Sequence, residues 1–338
     1  MICFAWSGFP QYAARCVHAF VENVQERVVV VATRPHVPIK GMDQLAGCPV
    51  VWVENSDTRK LLLIIGDMPR VLIVSGWGFP IFNRYRDEVK DNGGVVIAMV
   101  DNNFRPSIRE MLKAIRFRLS LKAKYDGYLV AGRSSTRLLE FYGVAKERIK
   151  TGLYAADKTL FTGDIVLPSR AKKILFVGQI IERKNIVAFA TAFVRANKDR
   201  EWKLEICGCG PLENRLPKDE SVFIHDFVQP EKLADIYRSA RIFVLPSLEE
   251  HWGVVVHEAV LSGCVLLLSD RIGAADDFLG RCNGYKFNPD SMDDMVEKID
   301  KCMRMTDAEL LEAQRESLVV SRNASRALFV NSLKELIP

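Results

Sequence analysis

Pro246-Ser247-Leu248-Glu249-Glu250-His251-Trp252-Gly253-Val254-Val255-Val256-His257-Glu258 follows an apolar run, Ile242-Phe243-Val244-Leu245. The run reads as a buried strand that the proline ends, and Gly253 opens a helical pattern that Ser262-Gly263 closes. Glu250 then lies in the loop and Glu258 just inside the helix. A helix start offers free N–H groups and a partial positive charge, so a phosphate can rest there while carboxylates accept hydrogen bonds from hydroxyls on either side. A nucleotide-sugar has that layout. A solvated helix carrying two exposed glutamates has the same spacing.

Outward from this stretch the chain alternates strand and helix patterns, twice over. β-rich runs fall at 2–7, 27–33, 49–53, 71–75, 95–100 and 127–130. After Leu167-Pro168-Ser169 the pattern restarts at 173–178, 203–208, 222–225, 241–245 and 264–269. Apolar strands separated by helical stretches predict parallel sheets with crossover helices, hence an α/β chain of two doubly wound domains. We place an N-terminal domain at 1–165, a C-terminal domain at 166–320 and a closing helix at 321–338 that crosses back to the first domain, with the hinge near 161–171. Ligands in such sheets bind beyond the carboxyl ends of strands, which singles out the loops after Ser7, Gly178, Gly208, His225 and Leu245.

Composition fits that reading. The 338 residues are 49% hydrophobic and 26% charged, enough for two ordinary cores. A net charge of +5 suits an anionic ligand or membrane surface but is too small to argue for nucleic acid. No long apolar stretch spans a bilayer and the N-terminus lacks a basic signal region, so a cytoplasmic protein is expected. Cysteines at 3, 16, 48, 207, 209, 264, 282 and 302 show no CxxC pairing and read as reduced core thiols.

Phosphate signals gather in the second half. Val177-Gly178-Gln179 runs from a strand into a turn, and the basic pair Arg183-Lys184 follows at an expected helix start. Gly208-Cys209-Gly210-Pro211 is a second strand-end turn, but position 213 is Glu, so the dinucleotide fingerprint is incomplete and a nicotinamide dehydrogenase is disfavoured. No P-loop occurs, His257-Glu258 lacks the second histidine of a zinc-protease helix, and no Asp-x-Asp is present. Leaving-group charge is then expected to fall to cations and a helix terminus, with no cofactor and no required metal.

Phe176-Val177-Gly178 with Lys184, Gly208 through Leu212, Leu233 through Ser247, and Glu250-x7-Glu258 stand in an order that resembles the family-4, or group-1, retaining glycosyltransferases. The resemblance implies the GT-B fold, two Rossmann-like domains facing each other across a cleft that closes over the donor. It assigns Glu250 to the donor sugar's hydroxyls, Glu258 to the ribose and Lys184 to the diphosphate. The amides of His251, Trp252, Gly253 and Val254 would complete the cradle, the Trp252 ring being expected to pack. Gly178, Gln179, Arg183, Gly208, Gly210 and Phe227 complete the donor-side candidates. Departures from the family pattern are Gln179 in place of an arginine, Asn185 in place of a glycine after the lysine, and His251 in place of a glycine.

The first half resembles the family more loosely. Gly8, after the first strand, matches a glycine loop beside the reacting centre, and Asp101 follows a strand end where many members carry His-Asp. Asp101 is a candidate for hydroxyl binding, or a cap of the next turn. Between Arg105 and Lys124 lie seven basic residues and one acid. Arg105, Arg109, Lys113 and Arg116 share a helical face opposite Ile108, Leu112, Ile115 and Leu119, which suits either a solvated face or peripheral contact with the inner face of a membrane carrying a lipid-linked acceptor. The implied activity is sugar transfer to a saccharide or lipid acceptor in polysaccharide, lipopolysaccharide or glycolipid synthesis. A GT-B sugar-nucleotide epimerase and an inactive nucleotide-sugar-binding protein are the alternatives.

Overall fold

The computed structural model describes residues 1–34, 42–54 and 66–338. These fall into two compact units, one of Met1–Ala155 with Ala324–Pro338, the other of Ala156–Asn323.

The first unit is built on runs that are apolar on both faces. Ile2–Trp6 (β1) and Val28–Ala32 (β2) are buried throughout, as a strand covered by helices on both sides must be. With Val50–Trp52 (β3), Val71–Ser75 (β4), Val95–Val100 (β5), Gly127–Val130 (β6) and Ile149–Thr151 (β7) they form a sheet of order β3-β2-β1-β4-β5-β6-β7. Every pairing is parallel. The helix Arg326–Leu336 belongs here: Phe329 stacks on Phe4 at 6.3 Å, and Ser332 Oγ donates to the Thr151 carbonyl at 2.7 Å. At Gly152, in the left-handed region, a Cβ would stand 2.7 Å from Leu328 Cγ, so that helix seats against bare backbone.

The helix Ile108–Ser120 starts on Ser107, whose hydroxyl accepts from the Glu110 amide at 3.1 Å. It packs inward through Glu110, Ala114 and Phe117. Tyr142 donates to the Glu110 carboxylate, and Phe117 lies 5.0 Å from Trp77 and 5.1 Å from Tyr142. The stripe Ile108, Leu112, Ile115 and Leu119 is turned to solvent; Arg105 precedes the helix, and Arg109, Lys113 and Arg116 flank the stripe instead of opposing it, because the face opposite is the buried one.

In the second unit Ala171–Val177 (β8), Lys203–Cys207 (β9), Val222–His225 (β10), Ala240–Leu245 (β11), Val265–Ser269 (β12) and Gly284–Phe287 (β13) form a parallel sheet of order β10-β9-β8-β11-β12-β13. In both sheets the order reverses beside the first strand. In the second unit this leaves a crevice at the carboxyl ends of β8 and β11, where doubly wound sheets bind ligands.

Two strands lie outside the runs expected from the sequence: β7 and β13, both sheet edges of only three and four residues. The basic pair Arg183-Lys184 lies in a 3-10 turn, Glu182–Lys184, and not in the helix that follows it at Ile186–Ala196. Asn185 separates the two at φ 54°, a left-handed residue that donates from Nδ2 to the Pro289 carbonyl at 3.0 Å.

Candidate functional site

The loops that leave β8 and β11 are tied together. The Leu248 amide donates to the Arg183 carbonyl at 2.8 Å, and the Gly273 amide to the Glu250 carbonyl at 3.1 Å. Ser269 Oγ holds the Ser247 carbonyl at 2.6 Å. These bonds place Arg183, Lys184 and Glu250, far apart in sequence, in one cluster.

Within it, Lys184 Nζ is paired directly with Glu250 Oε2, and Arg183 Nη1 lies 3.3 Å from the same oxygen and 2.8 Å from the Glu249 carbonyl. Ser247 Oγ donates to that carboxylate oxygen at 3.3 Å. The Lys184 and Glu250 side chains are only 11% and 13% exposed. The Arg183 side chain, at 44%, reaches solvent. Two cations and one carboxylate leave a net positive charge in a half-enclosed crevice, the polarity a diphosphate requires.

The glycines serve close approach of backbone to backbone. Gly208 sits at φ 146°, and a Cβ there would lie 2.0 Å from the Gly178 carbonyl oxygen; one on Gly210 would lie 2.3 Å from that of Ile180. The Ile180 amide donates to the Cys209 carbonyl at 3.0 Å, so the loop Gly208–Gly210 braces the loop that carries Gly178 and Gln179.

Gly253 caps the helix Val254–Leu261 at φ 90°. A Cβ there would come within 3.1 Å of Leu245 and 3.2 Å of Glu250 Cγ, so glycine keeps the loop tight against the strand. His251 is exposed, with Nε2 3.6 Å from a Glu249 carboxylate oxygen. The Trp252 ring is buried edge-on against Phe278 at 5.6 Å; as a ligand-contacting group Trp252 is restricted to its backbone. Val254 is buried as well.

Farther into the helix, Glu258 is half-buried and its carboxyl is pushed up to about 7 by desolvation, against the opposing effect of a hydrogen bond donated by Tyr237 Oη at 3.0 Å. Tyr237 is fully buried; burial first and the Glu258 carboxylate second hold its phenol well above the usual range. His257 turns the other way. Its Nδ1 accepts from the Ala156 amide at 3.0 Å, so Nε2 carries the proton it donates to the Ser321 carbonyl at 2.9 Å. Burial drops its pKa to about 4, and the neutral ring stacks on Phe278 at 4.8 Å. Neither Tyr237 nor His257 was assigned a role from sequence, since each partner lies at least 18 positions away.

Phe227 is exposed in the loop after β10, beside His225 on the wall of a cavity of about 650 Å³. In the first unit Gly8 has φ 62° and its amide is used by Thr33 Oγ1 at 2.7 Å. Asp101, after β5, accepts from Tyr154 Oη at 3.2 Å. Among the described residues no group of three or more His, Cys, Asp or Glu is arranged to hold a metal ion, and no helix is long and apolar enough to cross a membrane.

Residues 157–317 match the family model described as Glycosyl transferases group 1. An uncharacterized glycosyltransferase, MJ1607, of Methanocaldococcus jannaschii is 29% identical over 154 residues, 42% of this chain and 39% of that protein, so the chain aligns with less than half of this relative's length. Over 99% of the chain and 98% of the other, the fold superposes with a TM-score of 0.78 on Anabaena Alr3699/HepE, crystallised with UDP and glucose, at 13% identity. A trehalose-6-phosphate synthase structure from a study of glycosyltransfer with retention gives 0.74 at 11% identity over 99% and 98% of the two chains. Residues 157–317, which carry the Lys184-bearing loop and the Glu250–Glu258 segment, are thus similar to the group-1 glycosyl transferases, and the fold of the chain is GT-B.

Proposed function

We propose that this chain transfers a sugar from a nucleoside-diphosphate sugar to an acceptor hydroxyl with retention at the anomeric carbon. The acceptor is a saccharide or a lipid-linked hydroxyl of the kind elongated in polysaccharide, lipopolysaccharide or glycolipid synthesis, and peripheral membrane contact accompanies the reaction. The observation that carries the reading is the cluster of Arg183, Lys184 and Glu250 at the switch point of the second sheet, beside the start of Val254–Leu261. The diphosphate takes the two cations, Glu250 accepts from sugar hydroxyls and Glu258 from the ribose. The likeness to a trehalose-6-phosphate synthase studied for retention supports the stereochemical part.

As the bond to the leaving phosphate breaks, negative charge grows on the diphosphate facing Lys184 and Arg183, and positive charge on the sugar ring. The acceptor attacks from the side the phosphate leaves, and its proton passes to a phosphate oxygen. Cations already oriented toward that charge need little reorganisation during the step. No divalent metal is assigned a part, and turnover should persist in excess chelator.

The test begins with thermal shift against UDP-, GDP- and dTDP-sugars, since a ligand at 100 times its dissociation constant adds about 2.7 kcal/mol. Transfer with the stabilising donor follows. Lys184→Ala should lower turnover by a factor on the order of 10² to 10³. A folded Lys184→Ala protein with wild-type turnover would overturn the assignment, and sugar release without acceptor would favour an epimerase.

A further inference from the structure

The helix Ile108–Ser120 carries more apolar surface than its packing uses. At about 100° per residue, its buried side chains, Glu110, Ala114 and Phe117, centre on one face. On nearly the opposite face Ile108, Met111, Leu112, Ile115 and Leu119 form a continuous row, each between 49% and 83% exposed. The inner face holds the helix without them, through Tyr142 on Glu110, Phe117 among aromatic rings, and Arg118 donating to the carbonyls of Phe141 and Tyr142 at 2.7 and 3.1 Å. An exposed apolar row this long on a helix already anchored elsewhere marks a contact surface.

The charges beside the row select the partner. Arg109, Lys113 and Arg116 line one flank; Lys113 is 3.1 Å from Glu110, while Arg109 and Arg116 have no ion-pair partner among the described residues. A second copy of the chain would bring a like-charged flank against this one, and a nucleic acid would leave the apolar row unused. An anionic lipid bilayer satisfies both, accepting the apolar side chains below its headgroups and the arginines and lysine at them.

We infer that the row Ile108, Met111, Leu112, Ile115 and Leu119 inserts into the interface of an anionic membrane, with Arg109, Lys113 and Arg116 at the lipid phosphates. This rests on the reading of the protein as a peripheral membrane enzyme and sharpens it, because insertion, and not charge attraction alone, holds the protein there. Insertion in the plane of the interface would also keep the first unit beside acceptors carried on that surface.

Vesicles of phosphatidylcholine mixed with phosphatidylglycerol, sedimented with the full chain at low and at high salt, test it. The comparison is with Ile108→Gln, Leu112→Gln, Ile115→Gln and Leu119→Gln combined, which keeps every charge and uses a good helix former at exposed positions. We expect wild-type binding that partly survives high salt, and a loss of at least roughly tenfold in the combined variant at an unchanged melting temperature. Equal binding by both proteins, abolished by salt, would overturn insertion while leaving membrane contact standing. Absence of binding by the wild type at low salt would overturn both. A dimer by analytical ultracentrifugation without lipid, dissociated by the substitutions, would assign the row to a second copy and likewise overturn the inference.

Discussion

Lys184 and Arg183 share the carboxylate of Glu250, so the two cations proposed for the diphosphate already face an internal anion. On the proposed reading a donor displaces that carboxylate from the cations and frees it to accept from the sugar. Replacing Glu250 by Gln removes the competitor. We expect a free nucleoside diphosphate to bind about tenfold tighter, roughly 1.4 kcal/mol, while turnover falls on the order of 10² to 10³. Calorimetric titration and an initial-rate assay check this; unchanged values in both would rule out the exchange. The residues of this cluster were readable in the sequence because the spacing of strand end, loop and helix start constrains where they lie. The reason for the glycines was not. They read as a strand-end turn on the donor side; what that reading lacked is that Gly208 and Gly210 are required by the carbonyls of Gly178 and Ile180, a contact between two loops that no local pattern records.

Val254–Leu261 carries two neighbours whose protonation is perturbed in opposite senses by the same burial. His257 falls from 6.5 to about 4, so its contribution to stability is present above pH 6.5 and is lost as pH falls toward 4. Glu258 rises from 4.5 to about 7, so its contribution is present below pH 4.5 and is lost as pH rises through 7. Each amounts to roughly 3 kcal/mol, and between pH 4.5 and 6.5 they largely cancel. Relative to the wild type, His257→Gln should therefore gain stability on acidification across this range, and Glu258→Gln should lose it. Denaturant unfolding at pH 4.5, 5.5 and 6.5 measures both slopes; parallel slopes in the three proteins would contradict the assignment. At this scale sequence and structure part company where an element is short or two-faced. β7 and β13 are too brief to show a period. In Ile108–Ser120 periodicity finds the stripe Ile108, Leu112, Ile115 and Leu119 but does not tell that the helix packs through Glu110, Ala114 and Phe117 instead.

The second unit is one continuous stretch of chain, whereas the first is completed by residues 324–338 from the far end of the sequence. The repeated strand pattern announced two doubly wound sheets, because parallel strands covered on both faces are apolar without alternation. Where the first unit closes depends on Phe329 meeting Phe4 and on Leu328 lying over Gly152, contacts between the two ends of the chain. Phe329→Ala should cost about 3–5 kcal/mol, taken from the first unit. In a scanning calorimeter, one transition should move down and the one assigned to Ala156–Asn323, by its response to donor, should stay. Equal displacement of both would show that the units melt as one.

That closing helix sets an order of events at the ribosome. Residues 1–155 emerge first but leave Phe4 uncovered until Phe329 has followed them out. Ala156–Asn323 contains all of its own strands and needs no residue from either end of the chain to build its sheet. The last residues of the first unit are therefore made after those of the second, and until they arrive the apolar face awaiting Arg326–Leu336 is what a chaperone would meet.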